Sequence, residues 1–274
     1  MFISLNAIGE RVSIEKATPD NNYYCPVCGE PLTIRATNSL AVKTHFAHKR
    51  GTICYDDWVH DMSEWHLSWQ KQFPEQYREV VIEKDGIKHR ADICINNTVI
   101  EFQHSYISGE EIAKRNDFYI SCGYQVVWVF DATDEIKNIF EGSLDPMRCR
   151  YDDLCWKRAK KQFAIPLSSK VTIYLQYKIP VLVDTKNHDV DILLKITSIS
   201  PKRFEFFKTI YPLLPVCFLK EYGALSNDKI PSISDIVNQT NVYEQRSRRQ
   251  KAIEMTKILN NSLAQHRPKR RWYL

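Results

Sequence analysis

No run of apolar residues in this chain approaches the roughly 20 needed to cross a bilayer; the longest, such as Tyr124 to Phe130, are far shorter. The N-terminal stretch MFISLNAIGERVSIEKA lacks a basic segment followed by an apolar core and a cleavage site. A cytoplasmic protein without membrane attachment is therefore expected. Internal repeats and low-complexity tracts are missing as well. The biased composition of a disordered chain is absent, since 43% hydrophobic and 26% charged residues are ordinary for a globular protein. At 274 residues there is ample material for a core, in one large domain or two small ones. Its eight cysteines are scattered rather than packed into a small disulfide scaffold, which points to reduced thiols, some committed to metal. The net charge of +5 is mild but unevenly placed, with basic residues crowding the segment from Arg246 to Arg271. Such a tail attracts polyanions, or else it forms a solvated helix face with a frayed end.

The most informative stretch is HRADICINNTVIEFQHS, His89 to Ser105. Two strand-forming runs, Ala91 to Ile95 and Thr98 to Gln103, flank Asn96-Asn97, residues that tolerate the positive φ of a two-residue hairpin turn. With that turn Ile95 faces Thr98, Cys94 faces Val99, Ile93 faces Ile100, Asp92 faces Glu101 and Arg90 faces Gln103. One face, Ala91, Ile93, Ile100 and Phe102, is apolar. The other sets the carboxylates of Asp92 and Glu101 side by side, and like charges across a strand pair call for a compensating cation. A divalent ion such as Mg²⁺, which takes one or two carboxylates and completes its shell with water and phosphate, fits that need. The alternatives are a turn of another length, or an ordinary cluster neutralised by Arg90.

Asp92, a short turn and then Glu101-Phe102-Gln103 resemble the core of the PD-(D/E)xK nuclease superfamily. The wider wording, His89-Arg90-Ala91-Asp92 with Ile100-Glu101-Phe102-Gln103-His104-Ser105, resembles the competence protein CoiA-like branch, in which glutamine takes the lysine position. The resemblance covers about residues 1 to 135. It implies an α/β fold, a restriction-endonuclease-like core with a mixed central sheet flanked by helices. An N-terminal zinc-binding module and a small α+β C-terminal region complete the expected architecture, with boundaries at 1–57, 58–145 and 146–274. The implied activity is metal-dependent hydrolysis of DNA phosphodiesters, with Mg²⁺ or Mn²⁺ on Asp92 and Glu101. Gln103 would orient the attacking water by hydrogen bonding alone, since it carries no charge. The rival is a catalytically weak DNA-binding accessory protein for recombination. The setting could be competence, recombination or defence against foreign DNA, with a homodimer or partner proteins.

Upstream, Cys25-Pro26-Val27-Cys28-Gly29 is a knuckle that turns two thiolates toward one ion, with glycine permitting the bend. His45 and His48, in His45-Phe46-Ala47-His48, complete a closed tetrahedral set for a structural Zn²⁺. Only two residues separate these histidines, so Cys54 or His60 could replace His48. A redox Cys-x-x-Cys pair is the competing reading.

Between module and hairpin, Asp61 to Phe73 contains no glycine or proline and ends at Pro74, as a helix would; Met62, Trp65, Trp69 and Phe73 form its apolar stripe. Ser63-Glu64-Trp65-His66 resembles the CoiA-like wording, which implies Glu64 as a third metal-binding acid. His66 either orients the scissile phosphate or donates a proton, or simply packs. After the hairpin, Ser108 with Glu111 is a capping box opening a helix that stops at Gly123, and Tyr124 to Phe130 is a buried strand. Arg90, Ser105 and Arg115, with Arg158 and Lys160 in a later aromatic and basic run, are the candidate nucleic-acid contacts; surface ion pairing is the plainer fate for Arg115. Val171 to Gln176, Val181 to Asp184 and Ile192 to Ile196 read as strands of the C-terminal region.

Overall fold

The computed structural model describes residues 1–39, 43–54, 56, 58, 63–133, 169–183, 186–199, 207–224, 256 and 259–261. The expected boundary at Asp145-Pro146, Arg158, Lys160, His60 and the basic residues of the tail lie outside these residues. The chain divides into two units, Met1–Trp128 and Val129–Leu274.

The first unit begins with a five-stranded sheet in the order β2-β1-β3-β4-β5, built from β1 (Ile3–Leu5), β2 (Arg11–Ser13), β3 (Tyr23–Tyr24), β4 (Pro31–Arg35) and β5 (His45–His48). Each neighbouring pair in it is antiparallel. Gly9, at φ +82°, closes the turn between the first two strands, a conformation that glycine adopts without a Cβ clash. Phe2, Tyr23, Val27, Leu32 and Phe46 fill the core beneath this sheet, joined by Leu67 from α1 (Glu64–Lys71). That helix begins three residues later than its apolar pattern suggests, because Ser63 caps it by accepting from the backbone N–H of His66 at 3.2 Å.

Next come β6 (Arg78–Lys84), β7 (Ile87–Ile95), β8 (Thr98–Gln103), α2 (Gly109–Ser121) and β9 (Gln125–Asp131). Asn96 and Asn97 take φ of +48° and +61°, the double left-handed turn expected of them. The register follows: Ile95 pairs with Thr98, Cys94 with Val99 and Ile93 with Ile100. Ala91, Ile93, Ile100 and Phe102 are at most 1% exposed and form the core face. Ser108 caps α2 by accepting from Glu111 N–H at 3.1 Å, and Gly123 ends it at φ +92°. Because the Gln125 N–H donates to the Asn97 carbonyl, β9 starts beside the start of β8 and the two neighbours run the same way. An antiparallel hairpin, a helix and a parallel return strand make this sheet mixed.

In the second unit β10 (Val171–Val183), β11 (Lys186–Ile199) and β12 (Phe207–Leu213) form an antiparallel meander, followed by α3 (Pro215–Glu221). The two short strands expected over Val171 to Asp184 are one long strand. Pro215 opens α3 where its missing N–H is no loss. Tyr174, Leu193 and Phe218 are fully buried there.

One buried carboxylate ties the N-terminal sheet to the hairpin sheet. Glu79, on β6, has φ +45°, which turns its side chain out of the strand so that it accepts from Phe2 N–H at 2.9 Å and Ile3 N–H at 2.8 Å. Burial works to raise its pKa, but the Arg90 charge and those backbone donors prevail and hold it below the usual value of 4.5. Its ionisation therefore stabilises the fold fully above that value, and the contribution is lost as pH falls through the depressed one. Glu79→Gln, which removes one of the carboxylates that balance buried Arg90, is expected to cost about 3 kcal/mol in urea unfolding at neutral pH. Its stability should also fall less steeply than that of the wild type as the pH drops below 4.5. Equal acid slopes would remove Glu79 as the cause.

Candidate functional site

Two arrangements in the first unit carry chemistry. The first is a clasp of Cys25, Cys28, His48 and Cys54, whose ligand atoms all lie within 4.8 Å of one another. Cys25 and Cys28 come from the turn after β3, where the Gly29 N–H donates to the Cys25 carbonyl at 2.9 Å and Gly29 sits at φ +75°. His48 Nε2 lies 3.3 Å from Cys28 Sγ. Bonds of about 2.0–2.3 Å to a tetrahedral ion put neighbouring ligands roughly 3.5 Å apart, so this spacing suits a zinc-like ion. Three sulfurs and one imidazole leave no position for water, the signature of a structural site. Burial together with the neighbouring Cys25 and Cys28 sulfurs pushes the Cys54 thiol up to about 12, so loading a metal here must displace protons.

The set differs from the expected one by a single member: Cys54 stands where His45 was anticipated. The reason is strand geometry. Residues three apart on β5 point to opposite faces, and His45 turns its Nδ1 to within 2.8 Å of the Lys43 carbonyl instead. Reading His45-Phe46-Ala47-His48 as a strand rather than a knuckle would have excluded the pair.

The second arrangement is a buried acidic centre where β7 and β8 part. Past Ile93 and Ile100 the side chains take over the backbone donors: Asp92 Oδ2 accepts from Phe102 N–H at 2.9 Å, and Glu101 Oε1 faces Asp92 N–H at 3.4 Å. Asp92 is 3% and Glu101 1% exposed. Their charges are compensated from the helices. His66 Nε2 lies 3.0 Å from Asp92 Oδ1, with Gln70 Nε2 at 3.5 Å from the same oxygen. Glu101 receives the Arg115 guanidinium at 3.0 Å and the Tyr119 hydroxyl at 2.8 Å. Burial, then the Glu101 charge, pushes the Tyr119 pKa well above its ordinary value, so the phenol stays a donor. Arg115 also pairs with Glu111, and the two carboxylates outweigh burial and raise its pKa. The cation that apposed acids demand is thus supplied in part by the protein itself.

The remaining expected site residues are placed as follows. Glu64 does not join the centre; its side chain is 76% exposed and pairs with Lys43 at 3.0 Å. Gln103 donates from its amide to the carbonyl and hydroxyl of Ser105 at 2.9 and 3.1 Å. Arg90 and Arg115, anticipated as nucleic-acid contacts, are only 4% and 2% exposed. Burial acts to lower the Arg90 pKa, but Glu79, Asp56 and Asp92 prevail and raise it. Ser105 is exposed at the end of β8. Gln70 and Tyr119 were not anticipated, although each lies four residues after a candidate on its own helix, His66 and Arg115, and so shares its face.

Exchanging the odd member tests the clasp. Cys54→Ala is expected to lose bound zinc and His45→Ala to keep about one equivalent, measured by metal analysis of the purified proteins. The reverse pattern would restore His45 to the set.

The description "Competence protein CoiA, N-terminal domain" matches residues 8–55, and "Competence protein CoiA, nuclease-like domain" matches residues 62–145. No curated protein and no solved structure matches the chain. The first match contains the whole clasp, and the second contains His66, Asp92, Glu101 and Gln103. Two adjoining stretches of the chain are thus similar to the two domains of the competence protein CoiA.

Proposed function

We propose that the protein is a metal-dependent DNA nuclease of the PD-(D/E)xK type, with Asp92 and Glu101 as the acids and Gln103 in the place of the lysine. The observation that carries this reading is the meeting of two buried carboxylates and a buried imidazole where the hairpin opens, inside a nuclease-like domain. Oxygen donors with one nitrogen suit Mg²⁺ or Mn²⁺. Asp92 and Glu101 would hold the ion, which when bound lowers the pKa of its water and offsets charge on the phosphate oxygens.

The chain's own residues do the rest. Arg115 and Tyr119 fix the Glu101 carboxylate from one side, leaving its orientation little freedom. His66, rather than Glu64, is what α1 brings to Asp92, and its imidazole can hold or pass a proton there. With its amide nitrogen turned to Ser105, Gln103 has its carbonyl oxygen to accept from a water. Zinc in the clasp would act structurally. The basic tail with Arg158 and Lys160 would supply the electrostatic attraction for DNA.

A specific feature favours the second reading, a DNA-binding accessory protein with little cleavage: each acid already has protein donors on both oxygens, as a retired centre would. Labelled single-stranded, duplex and branched DNA, incubated with Mg²⁺, Mn²⁺ or EDTA, separates the two. Metal-dependent cutting is expected, abolished in Asp92→Ala and Glu101→Ala, lowered about 100-fold in His66→Ala and kept in Glu64→Ala. Binding without cutting in every metal would establish the accessory reading instead.

A further inference from the structure

The clasp and the acidic centre lie in the same unit, and the chain that leaves the last clasp ligand packs against side chains that support the acidic centre. Cys54 is the last clasp ligand, and the chain that leaves it carries Asp56 and Trp58. Asp56 Oδ1 lies 3.2 Å from His89 Nδ1 on β7. Trp58 lies flat on that same imidazole, with centroids 3.5 Å apart and planes within 2°. Its indole also meets Phe118 and Tyr119 edge-on at 5.8 and 5.5 Å, and the Arg115 guanidinium sits over it at 5.0 Å. Arg115 and Tyr119 are the two side chains that grip the Glu101 carboxylate.

We propose that metal in the clasp sets the position of Glu101 through Trp58, which makes Trp58 and His89 positioning residues of the acidic centre. Four ligand bonds fix the chain at Cys54, so a bound ion fixes where the following residues start. The indole then backs the Arg115 guanidinium by a cation–π contact and bounds the Tyr119 ring. Without the ion this stretch loses its anchor at Cys54. Arg115 and Tyr119 then lose a wall, and Glu101 loses the fixed donors that aim it. Neither Trp58 nor His89 reaches the acids directly; both act through α2. The inference rests on the nuclease reading for its catalytic consequence only, since the coupling itself is a matter of packing.

Hydrogen exchange followed by mass spectrometry on the full-length protein reads the coupling without any cleavage. Stripping zinc from the wild type is expected to raise exchange in α2 by about 10-fold or more, the scale on which supports of a metal centre act. Trp58→Ala should do the same while retaining its zinc and its far-UV circular dichroism, and Trp58→Phe should restore protection. Cleavage gives the second arm: kcat lowered about 10- to 100-fold in Trp58→Ala with KM for DNA held, and rescued by phenylalanine. Unchanged α2 exchange in both the stripped protein and Trp58→Ala would overturn the proposal. Absence of cleavage in the wild type with the exchange pattern intact would overturn the nuclease reading and leave the coupling standing.

Discussion

Carboxylates buried inside a sheet govern how the first unit is put together. A charge removed from water must find opposite charge or donors nearby, and Glu79, Asp92 and Glu101 are each at most 3% exposed. Each recruits a different part of the chain. Glu79 takes the backbone of β1, which fastens the N-terminal sheet to β6; Asp92 takes His66 and Gln70 from α1; Glu101 takes Arg115 and Tyr119 from α2. Arg90 stands among these acids, its charge balanced by Glu79, Asp56 and Asp92. The elements surrounding the hairpin are thus oriented by what its acids require, and apolar burial fills the space between.

This arrangement makes the acidic centre rigid before any substrate arrives. Carboxylates held by fixed donors need little reorganisation to receive a cation, the condition under which electrostatic stabilisation is strongest. The same donors also compete with a cation for the acids. How readily a cation enters therefore turns on how easily these donors, His66 and Gln70 at Asp92 and Arg115 and Tyr119 at Glu101, give up the acids. The clasp contributes from further off. Its four side chains come from the turn after β3, the end of β5 and the segment beyond, so an ion held there would gather chain that has little regular structure of its own.

Much of the hairpin was legible in its residues. Asn96-Asn97 specified a two-residue turn, period-two alternation then fixed the register, and the apolar face of Ala91, Ile93, Ile100 and Phe102 followed. The capping box at Ser108 and the stop at Gly123 bounded α2 for equally local reasons. Cysteine spacing located half of the clasp. Where the sequence misled, the missing fact was a direction. His45 and His48 were adjacent in wording but opposed on a strand, and Glu64 and His66 shared a helical turn but faced solvent and core respectively.

Sequence alone determined turns, caps and strand register, because each depends on the φ/ψ tolerance or chemistry of a few neighbouring residues. Tertiary structure decided the partnerships. Nothing local to Glu79 announces that it will accept from Phe2 and Ile3, 77 and 76 residues away, and nothing local to Trp58 announces the His89 ring. Such contacts are set by which faces meet when sheets and helices pack, and a buried charge is compensated by whichever donor that packing brings within reach.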